Sequence, residues 1–357
     1  MNIASLLRIE ASRAGEVEMQ KTIHILLSAI SMLMLAALAC SVGQPSGSGA
    51  AEPSAVPPSV APPADTPTPP YTGPMPAALP LARADQAGDI DSSPNANKKA
   101  VAGGDVFVQN LYERPFNANT MDTYFPYLDI TEAQGFKDDV WGYATIRLAN
   151  VDQNGALPGQ YAVELDLDKD GRGDWLILAS HPTGTDWSRQ GVQAWMDADG
   201  KVGGVAILTA DNHTGGGNGY EQLVFDQGQT GPAAGAWARI RPDAANVVEL
   251  AFSLEMLGSP RAYAMGAWAG TLIDPARFDY HDFMTHIQAG SPNPGYEVYP
   301  LKDMAEIDNT CRLAISFAPT GKEPGLCATV QQTEAEGCKH GEICYNFGSQ
   351  TLCVCRP

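Results

Sequence analysis

The chain has 357 residues and a formal net charge of −19 at pH 7, from 41 acidic and 22 basic side chains. Such an acidic surface is repelled by phosphate backbones, which excludes the usual electrostatic mode of nucleic-acid binding. Of the 27 prolines, 13 fall between residues 41 and 100. A segment of that composition does not bury an apolar core, so the folded part is expected to be shorter than the chain.

The first forty residues have the layout of an export signal. Lys21 precedes an apolar run from Ile23 to Leu38, and small residues lead from this run to Cys40. Residues 1–18 carry several acidic side chains, which is unusual in a signal peptide. We therefore expect Met19 to be the start of the protein, with an N-terminal extension as the alternative.

The residues around Cys40 resemble the processing site of bacterial lipoproteins. Ala37-Leu38-Ala39-Cys40 is similar to a lipobox, although that family usually has leucine where this chain has Ala37. The resemblance implies that Cys40 is lipidated and anchors the mature protein on the extracellular face of the cell membrane. A secretory signal cleaved near Ala39, or an uncleaved anchor helix, is the alternative. Residues 41–104, rich in Pro, Ala and Ser, are predicted to be a disordered tether.

From residue 105 the pattern changes to short apolar stretches separated by Gly, Asp, Asn and Pro. Stretches of this kind with turn signals between them predict an all-β antiparallel β-sandwich over residues 105–318. They are Tyr143–Leu148, Tyr161–Leu167, Trp175–Ala179, Val192–Met196, Val205–Leu208, Gln222–Phe225, Ala236–Ile240 and Val247–Phe252. One helix is predicted, over Asp279–Gln288.

A nine-residue segment in this region, residues 166–174, carries acidic side chains at the spacing of metal ligands. The predicted ligands are four carboxylates and one backbone carbonyl: Asp166, Asp168, Asp170, Asp174 and Arg172. Hard oxygen ligands in this order suit Ca²⁺. The flanking residues read as strands, and Ile177 stands where an EF-hand has glutamate. The segment instead resembles the DxDxDGxxD calcium loops of integrin-like propellers and related extracellular repeats. The alternative is a solvated acidic hairpin turn.

Two predicted strands place a tryptophan on their polar face. Alternation puts Trp195 on the same side as Gln193 and Asp197, and Trp237 on the same side as two arginines. An exposed indole is a platform on which a sugar ring stacks. Trp195 and Trp237, with Tyr220 after a Gly-rich loop, are therefore candidate ligand-binding residues. The alternative is that each ring is covered by a loop or stacked on an arginine.

Six cysteines follow Cys40, and all of them lie near the C-terminus. They are Cys311, Cys327, Cys338, Cys344, Cys353 and Cys355. An even number in an exported chain predicts three disulfides, for which 15 connectivities are possible. Residues 319–357 are thus expected to form a small disulfide-rich tail. Zinc binding is the alternative, although the spacings include no CxxC pair.

Catalytic motifs are scarce in the predicted folded part. It contains no GxSxG, HExxH, Walker or GxGxxG motif. His281 with Asp279 and Asp282, or His213 with Asp211, are possible acid–base pairs, but six scattered histidines form such pairs by chance. The sequence therefore predicts that the protein is not an enzyme.

Three later segments resemble a known class of sandwich. Residues 219–225, 236–239 and 248–254 are similar to the later strands of family-nine carbohydrate-binding modules and DOMON-like domains. The resemblance implies a jelly-roll-like sandwich that binds sugars without catalysis. Together these features predict an exported, lipid-anchored, non-catalytic surface protein with a calcium-stabilised domain and a polysaccharide ligand. A secreted hydrolase, or a purely structural or adhesive cell-envelope module, is the alternative.

Overall fold

The fold is seen in a computed structural model, which describes residues 71–77, 85–202, 211, 218–278 and 280–327, and the backbone of 342–347 and 350–355. The predicted export signal, Cys40, most of the predicted tether and the predicted strand Val205–Leu208 lie outside these residues. Within them, no helix has the length and apolar character needed to cross a membrane.

The described residues form fifteen strands, and every pairing between strands is antiparallel. In chain order they are β1 (Asp85–Gly88), β2 (Glu113–Arg114), β3 (Ile130–Lys137), β4 (Trp141–Leu148), β5 (Gln160–Asp166), β6 (Trp175–Ser180), β7 (Val192–Met196), β8 (Gln222–Asp226), β9 (Ala236–Arg241), β10 (Ala244–Ser253), β11 (Tyr263–Gly270), β12 (Ile307–Asn309), β13 (Leu313–Ile315), β14 (Glu342–Phe347) and β15 (Gln350–Cys355).

These strands make two large sheets and one hairpin. The five-stranded sheet has the order β1-β3-β4-β10-β9. The eight-stranded sheet has the order β2-β12-β11-β5-β6-β7-β8, with β13 also paired to β11, and β14 pairs with β15. The expectation of an all-β antiparallel sandwich is confirmed.

The two large sheets enclose one apolar core. It contains fully buried side chains from both sheets, among them Ile146, Val248 and Phe252 from the five-stranded sheet and Val163, Leu165 and Ile177 from the eight-stranded sheet. Burial of one such side chain contributes about 1.5–3 kcal/mol. The alternating apolar positions that predicted the strands are the positions that fill this core.

The eight-stranded sheet is covered on its other face as well. A second apolar cluster packs there and includes Tyr112, Tyr220, Trp268 and Phe278. The rings of Trp268 and Phe278 lie 4.5 Å apart, centroid to centroid. Because both faces are covered, all residues of the inner strand β11 are buried.

The predicted strands that fall on described residues are all present, with ends within a few residues of the prediction. Val192–Met196 coincides with β7, where Val192 and Ala194 enter the core. The sequence did not predict β1, β2, β3, β11, β12 or β13. Strand β11 consists largely of Ala and Gly, which have low strand propensity, and it shows no alternation because neither face meets solvent. Strand β1 pairs with β3 although it precedes the expected domain start at residue 105.

The helix predicted over Asp279–Gln288 differs from the structure, which has two short helices there. These are α1 (Tyr280–Phe283) and α2 (His286–Ala289). Thr285 separates them, with extended backbone angles of φ −81° and ψ 164°. Its side chain accepts a hydrogen bond from the Gln288 amide, and the Gln288 side chain accepts one from the Thr285 amide. This capping box starts a new helix at the point where a continuous one was expected.

One disulfide is present among the described side chains. It joins Cys311 to Cys327, at a sequence separation of 16. It therefore links the sandwich to the first residues of the expected tail. In the β14–β15 hairpin the register places Cys344 opposite Cys353. Cys338, and the side chains of the three remaining cysteines, lie outside the described part, so two further disulfides stay a prediction.

Candidate metal centre

The acidic loop connects strands β5 and β6. Strand β5 ends at Asp166 and β6 begins at Trp175. Because side chains alternate along a strand, Asp166 points away from the core that its neighbour Leu165 enters. Lys169 and Gly171 have φ angles of +66° and +96°, in the left-handed region. These two positions let the chain reverse direction within the loop.

Three of the predicted ligands converge in the structure. Asp166, Asp168 and Asp174 each offer a carboxylate oxygen, and these atoms lie within 4.8 Å of one another. Ca²⁺ binds oxygen at about 2.3–2.6 Å, so two ligands on opposite sides of an ion are up to about 5 Å apart. The three oxygens therefore fit a single calcium ion. Asp170 is not in this group, and its Oδ1 accepts a 2.8 Å hydrogen bond from the Arg172 amide.

Backbone amides hold these carboxylates in position. Oδ1 of Asp166 accepts a hydrogen bond from the Lys169 amide at 2.6 Å, and Oδ2 accepts one from the Gly171 amide at 2.9 Å. The Leu167 amide donates to Oδ2 of Asp174. A carboxylate oxygen has two lone pairs, so an oxygen that accepts one hydrogen bond can still bind a cation. The backbone of the loop thus orients its converging carboxylates.

Two loop carboxyl groups have pKa values that are shifted upward. Asp166 is 1% exposed, and burial raises its pKa to about 6, against the lowering effect of the Arg312 guanidinium and two amide hydrogen bonds. Burial also raises the pKa of Asp174; the Leu167 amide lowers it and the neighbouring Asp168 charge raises it further. A divalent cation bound here would favour the ionised form of both carboxyl groups.

Two arginines fix the loop to the rest of the domain. Nη2 of Arg312 lies 3.0 Å from Oε2 of Glu164, and both side chains are nearly buried. Nη1 of Arg312 donates to the carbonyl oxygen of Gly171 inside the loop. Arg172, whose backbone carbonyl is a predicted ligand, donates from its side chain to the carbonyl oxygen of Gly200 at 2.9 Å. The position of the loop therefore depends on strand β5 and on the segment beside β13.

The acidic turn that begins at Asp197 lies beside this loop. The Asp197 amide donates to the Asp174 carbonyl oxygen at 2.9 Å. The Asp197 carboxylate accepts hydrogen bonds from the amides of Asp199, Gly200 and Val202. Asp197, Asp199 and Glu221 also offer oxygens within 4.8 Å of one another, but Asp199 and Glu221 are exposed and Asp199 pairs with Lys201, so this segment keeps its interpretation as an acidic turn.

The three candidate aromatic residues do not form one binding face. Trp195 is half-buried in β7 of the eight-stranded sheet, and its Nε1 donates to Oε1 of Gln193 at 3.1 Å. Trp237 lies in β9 of the five-stranded sheet and is 5% exposed. Tyr220 is 1% exposed, with its hydroxyl 3.4 Å from Oε1 of Glu164. Trp195 packs against the second apolar cluster, to which Tyr220 belongs, whereas Trp237 lies in a separate cluster on the five-stranded sheet.

Burial changes the interpretation of two of these aromatic residues. The ring of Trp237 is covered by Tyr71, at 5.5 Å between centroids, and by the Arg189 guanidinium, at 5.1 Å. This is the alternative of a ring stacked on an arginine, and the arginine is Arg189. Tyr220 belongs to the second apolar cluster and not to a rim. Of the three candidates, Trp195 alone keeps an accessible part of its ring.

One possible acid–base pair, His281 with Asp282, is close in the structure, and Asp211 contacts the distant His286. Nδ1 of His286 lies 2.8 Å from Oδ2 of Asp211, and the His286 amide donates to Oδ1 of the same carboxylate. Asp211 thus caps the start of α2, whereas His213 lies outside the described residues. Nε2 of the buried His281 lies 3.3 Å from Oδ1 of Asp282. The capping contact at Asp211 is a structural role.

A buried group of carboxylates could not be predicted from the sequence. Glu113, Asp129 and Asp308 also offer oxygens within 4.8 Å of one another, and all three residues are buried. They come from distant segments, so no spacing pattern marks them. The sequence offers one weak signal for each of these residues, namely that an acidic residue stands next to an apolar one within or beside a strand.

Comparisons with known proteins leave these groups of carboxylates to be interpreted from their geometry. No family model matches the sequence, and no curated protein or solved structure is significantly similar to it.

Proposed function

We propose that this chain is an exported, lipid-anchored and non-catalytic surface protein, whose sandwich binds Ca²⁺ at the Asp166 loop and a polysaccharide near Trp195. The observation that carries the proposal is the convergence of three carboxylate oxygens within 4.8 Å in the β5–β6 loop. The donors are all oxygen atoms, which calcium prefers, and the backbone of the loop holds them in place.

The disulfide between Cys311 and Cys327 supports the calcium assignment through the compartment that it implies. Disulfides persist in oxidising, extracytoplasmic environments. Calcium sites of extracellular modules are commonly weak, with dissociation constants of about 10⁻⁴–10⁻³ M. A loop with three converging carboxylates therefore suits an exported protein, in agreement with the signal-like segment that ends at Cys40.

The saccharide part of the proposal rests on Trp195 and its neighbours. The ring is half-buried, and Gln193 holds its Nε1 and donates in turn to Oδ1 of Asp226 at 3.3 Å. Across the strand pair, Trp195 lies opposite Leu223, which is 40% exposed. This small surface combines an apolar ring with polar side chains that hydrogen-bond hydroxyl groups. Such an open site binds weakly, because little of the ligand is desolvated.

Thermal unfolding of the full chain tests the calcium part. An ion that binds only the folded state, at 100 times its dissociation constant, adds about 2.7 kcal/mol to the free energy of unfolding. We expect a higher melting temperature in calcium than in chelator for the wild type, and a smaller difference for Asp168→Asn. Asp243→Asn, at an exposed turn, is the matched control and should behave like the wild type. An undiminished calcium effect in Asp168→Asn contradicts the loop site.

A polysaccharide retention assay tests the saccharide part. We expect the wild type to be retained on at least one insoluble polysaccharide, and Trp195→Ala to be released. Leu272→Ala removes an apolar side chain that is 73% exposed elsewhere on the surface, and it should be retained like the wild type. If no polysaccharide retains the wild type, the structural-module alternative becomes the better description.

A further inference from the structure

Four acidic residues lie together where the edges of the two sheets meet. Asp89 follows edge strand β1, and Asp129 directly precedes its partner strand β3, in the five-stranded sheet. Glu113 lies in edge strand β2, and Asp308 lies in its partner strand β12, in the eight-stranded sheet. We refer to these four residues as the sheet-edge carboxylates.

The sheet-edge carboxylates are deeply buried. Glu113 is 1% exposed, and Asp129 and Asp308 are 0% exposed, whereas Asp89 is half-buried. Ionised groups at such positions are costly unless a positive charge compensates them. Their burial therefore needs a specific physical reason.

In each sheet-edge carboxylate one oxygen is bound by the surrounding protein. The Ser92 hydroxyl donates to Oε1 of Glu113, and the Ser92 amide donates to Oδ2 of Asp129 at 2.9 Å. The Ile130 amide donates to Oδ2 of Asp308, which connects the two sheets directly. The Ile90 amide donates to Oδ1 of Asp89 at 2.9 Å. These contacts fix the orientation of all four side chains.

The second oxygen of each sheet-edge carboxylate is buried and, among the described residues, has no hydrogen-bond partner. The atoms are Oδ2 of Asp89, Oε2 of Glu113, Oδ1 of Asp129 and Oδ1 of Asp308. A buried polar atom without a partner costs about 1–3 kcal/mol, and more when it is charged. Four such atoms in one place are not tolerated without a ligand or protons.

The nearest arginine along the chain does not supply the missing charge. Arg114 follows Glu113 in β2 and is fully buried, but its Nε pairs with Oδ1 of Asp105. Its remaining nitrogens donate to Asp105 and to the carbonyl oxygens of Ala289, Gly290 and Met304. All the donors of this side chain are therefore directed away from the sheet-edge carboxylates.

Two ways of neutralising the group are chemically possible, which are protonation and cation binding. Burial, with repulsion from neighbouring carboxylates, raises the pKa of Asp89 to about 8 and that of Asp129 to about 7. Burial raises the pKa of Glu113 and Asp308 well above the usual range, again with added repulsion from the group. Protonated groups would donate hydrogen bonds to one another, whereas a divalent cation would bind several carboxylate oxygens at once.

Geometry favours the cation. Glu113, Asp129 and Asp308 each offer an oxygen, and these atoms lie within 4.8 Å of one another, as in the Asp166 loop. Calcium accepts six to eight oxygen ligands in flexible geometry, whereas magnesium keeps several of its waters. We infer that Glu113, Asp129 and Asp308, with Asp89 beside them, bind one Ca²⁺ ion, which bridges the edges of the two sheets. This site shares no residue with the Asp166 loop.

The ion would also hold the N-terminal segment against the sandwich. Asp89 and Ser92 belong to the short segment between β1 and β2, and both contribute to the group. Through them, the ion connects the first described strand to β3 and β12. The proposed role is structural, because it closes the open ends of both sheets at the place where the chain enters the domain.

Calcium stoichiometry of the full chain tests the inference. After chelation and dialysis, bound calcium is titrated by calorimetry and counted by elemental analysis in the wild type and in Asp308→Asn, Glu113→Gln and Asp168→Asn. Asparagine at position 308 retains an oxygen that accepts the Ile130 amide. We expect Asp308→Asn and Glu113→Gln each to bind one ion fewer than the wild type. Asp168→Asn should lose the loop ion and keep the sheet-edge ion.

The thermal stability of the same variants separates a cation site from a purely structural role. In chelator, Asp308→Asn leaves one fewer buried carboxyl group to be neutralised and should melt at or above the wild-type temperature. In calcium it should melt below the wild type. If Asp308 has only a structural role, the melting temperatures of the variant and the wild type fall in the same order in chelator and in calcium. That result overturns the inference.

The outcomes also distinguish the two proposed sites. If Asp308→Asn and Glu113→Gln bind as many ions as the wild type, the sheet-edge site is rejected and the loop site stands. If Asp168→Asn binds as many ions as the wild type, the loop site is rejected and the sheet-edge site stands. If Asp308→Asn does not fold, Asp168→Asn decides the question. This variant lacks the loop site, so the absence of any bound calcium in it contradicts the inference.

Discussion

The Asp166 loop and the sheet-edge carboxylates present the same chemistry through opposite constructions. In the loop, three converging carboxylates come from nine consecutive residues, and the local backbone orients them. At the sheet edge, the converging carboxylates come from three distant segments, and contacts between the two sheets orient them. The carboxylates of the loop are close together in sequence and are oriented locally. The sheet-edge carboxylates come together only when the two sheets have formed.

This difference has a thermodynamic consequence. An ion in the loop can bind residual structure in the unfolded chain, because its ligands are already close in sequence. An ion at the sheet edge has no counterpart in the unfolded chain, so its whole binding free energy contributes to folding. At equal affinity, the sheet-edge ion should therefore stabilise the domain at least as much as the loop ion.

The largest expected effect is on the free energy of unfolding, and it tests whether the structure of the loop depends on the rest of the domain. Arg312→Ala removes the nearly buried partner of Glu164 and the donor to the Gly171 carbonyl. Loss of one member of a buried ion pair destabilises proteins by about 3–5 kcal/mol. We expect a decrease of that size in the free energy of unfolding in urea, with calcium present.

Arg172→Ala is the matched control for that variant. Its side chain makes one hydrogen bond, to the Gly200 carbonyl, at an exposed position. Such a contact contributes about 0.5–1.5 kcal/mol. If Arg312→Ala costs no more than Arg172→Ala, the loop does not depend on its buried contact with Arg312, and it is as local a structure as its sequence suggests.

A smaller effect tests the geometry of the loop against its sequence pattern. Spacing alone makes Asp168 and Asp170 equivalent ligands, whereas the structure includes Asp168 in the convergent group and leaves Asp170 out. Loss of one charged ligand worth about 1.4 kcal/mol weakens binding about tenfold. In calcium titrations we expect Asp168→Asn to show at least that loss, and Asp170→Asn to show clearly less. Equal losses would support the sequence pattern over the geometry.

The fold could be predicted from sequence where one face of a strand meets the core and the other does not. Strand β7 is such a case, since Val192 and Ala194 alternate with Gln193 and Trp195. Strand β11 is the opposite case, because a second apolar layer removes the alternation and its residues are mostly small. The short strands β2 and β12 are held by their neighbours in the sheet, and two or three residues carry too little pattern to be recognised.

The candidate sites follow the same rule. The Asp166 loop was predictable because its converging carboxylates lie within nine residues of sequence, while Asp308 is one acidic residue in a three-residue strand. The aromatic residues show a different failure. Strand alternation correctly placed Trp237 away from the core between the sheets, but alternation does not report what covers the outer face. Arg189 and Tyr71, far away in sequence, cover it. Arg312 was equally invisible, because its partners Glu164 and Gly171 lie in another strand and loop.

The Cys311–Cys327 disulfide determines how a mechanical load on the C-terminal segment would reach the domain. A pull on residues beyond Cys327 passes through the sulfur–sulfur bond to Cys311 and bypasses the chain between them. The force then enters the eight-stranded sheet between β12 and β13, three residues from Asp308. Tension on the tail would therefore be applied close to the sheet-edge carboxylates, the same group through which the N-terminal segment is held.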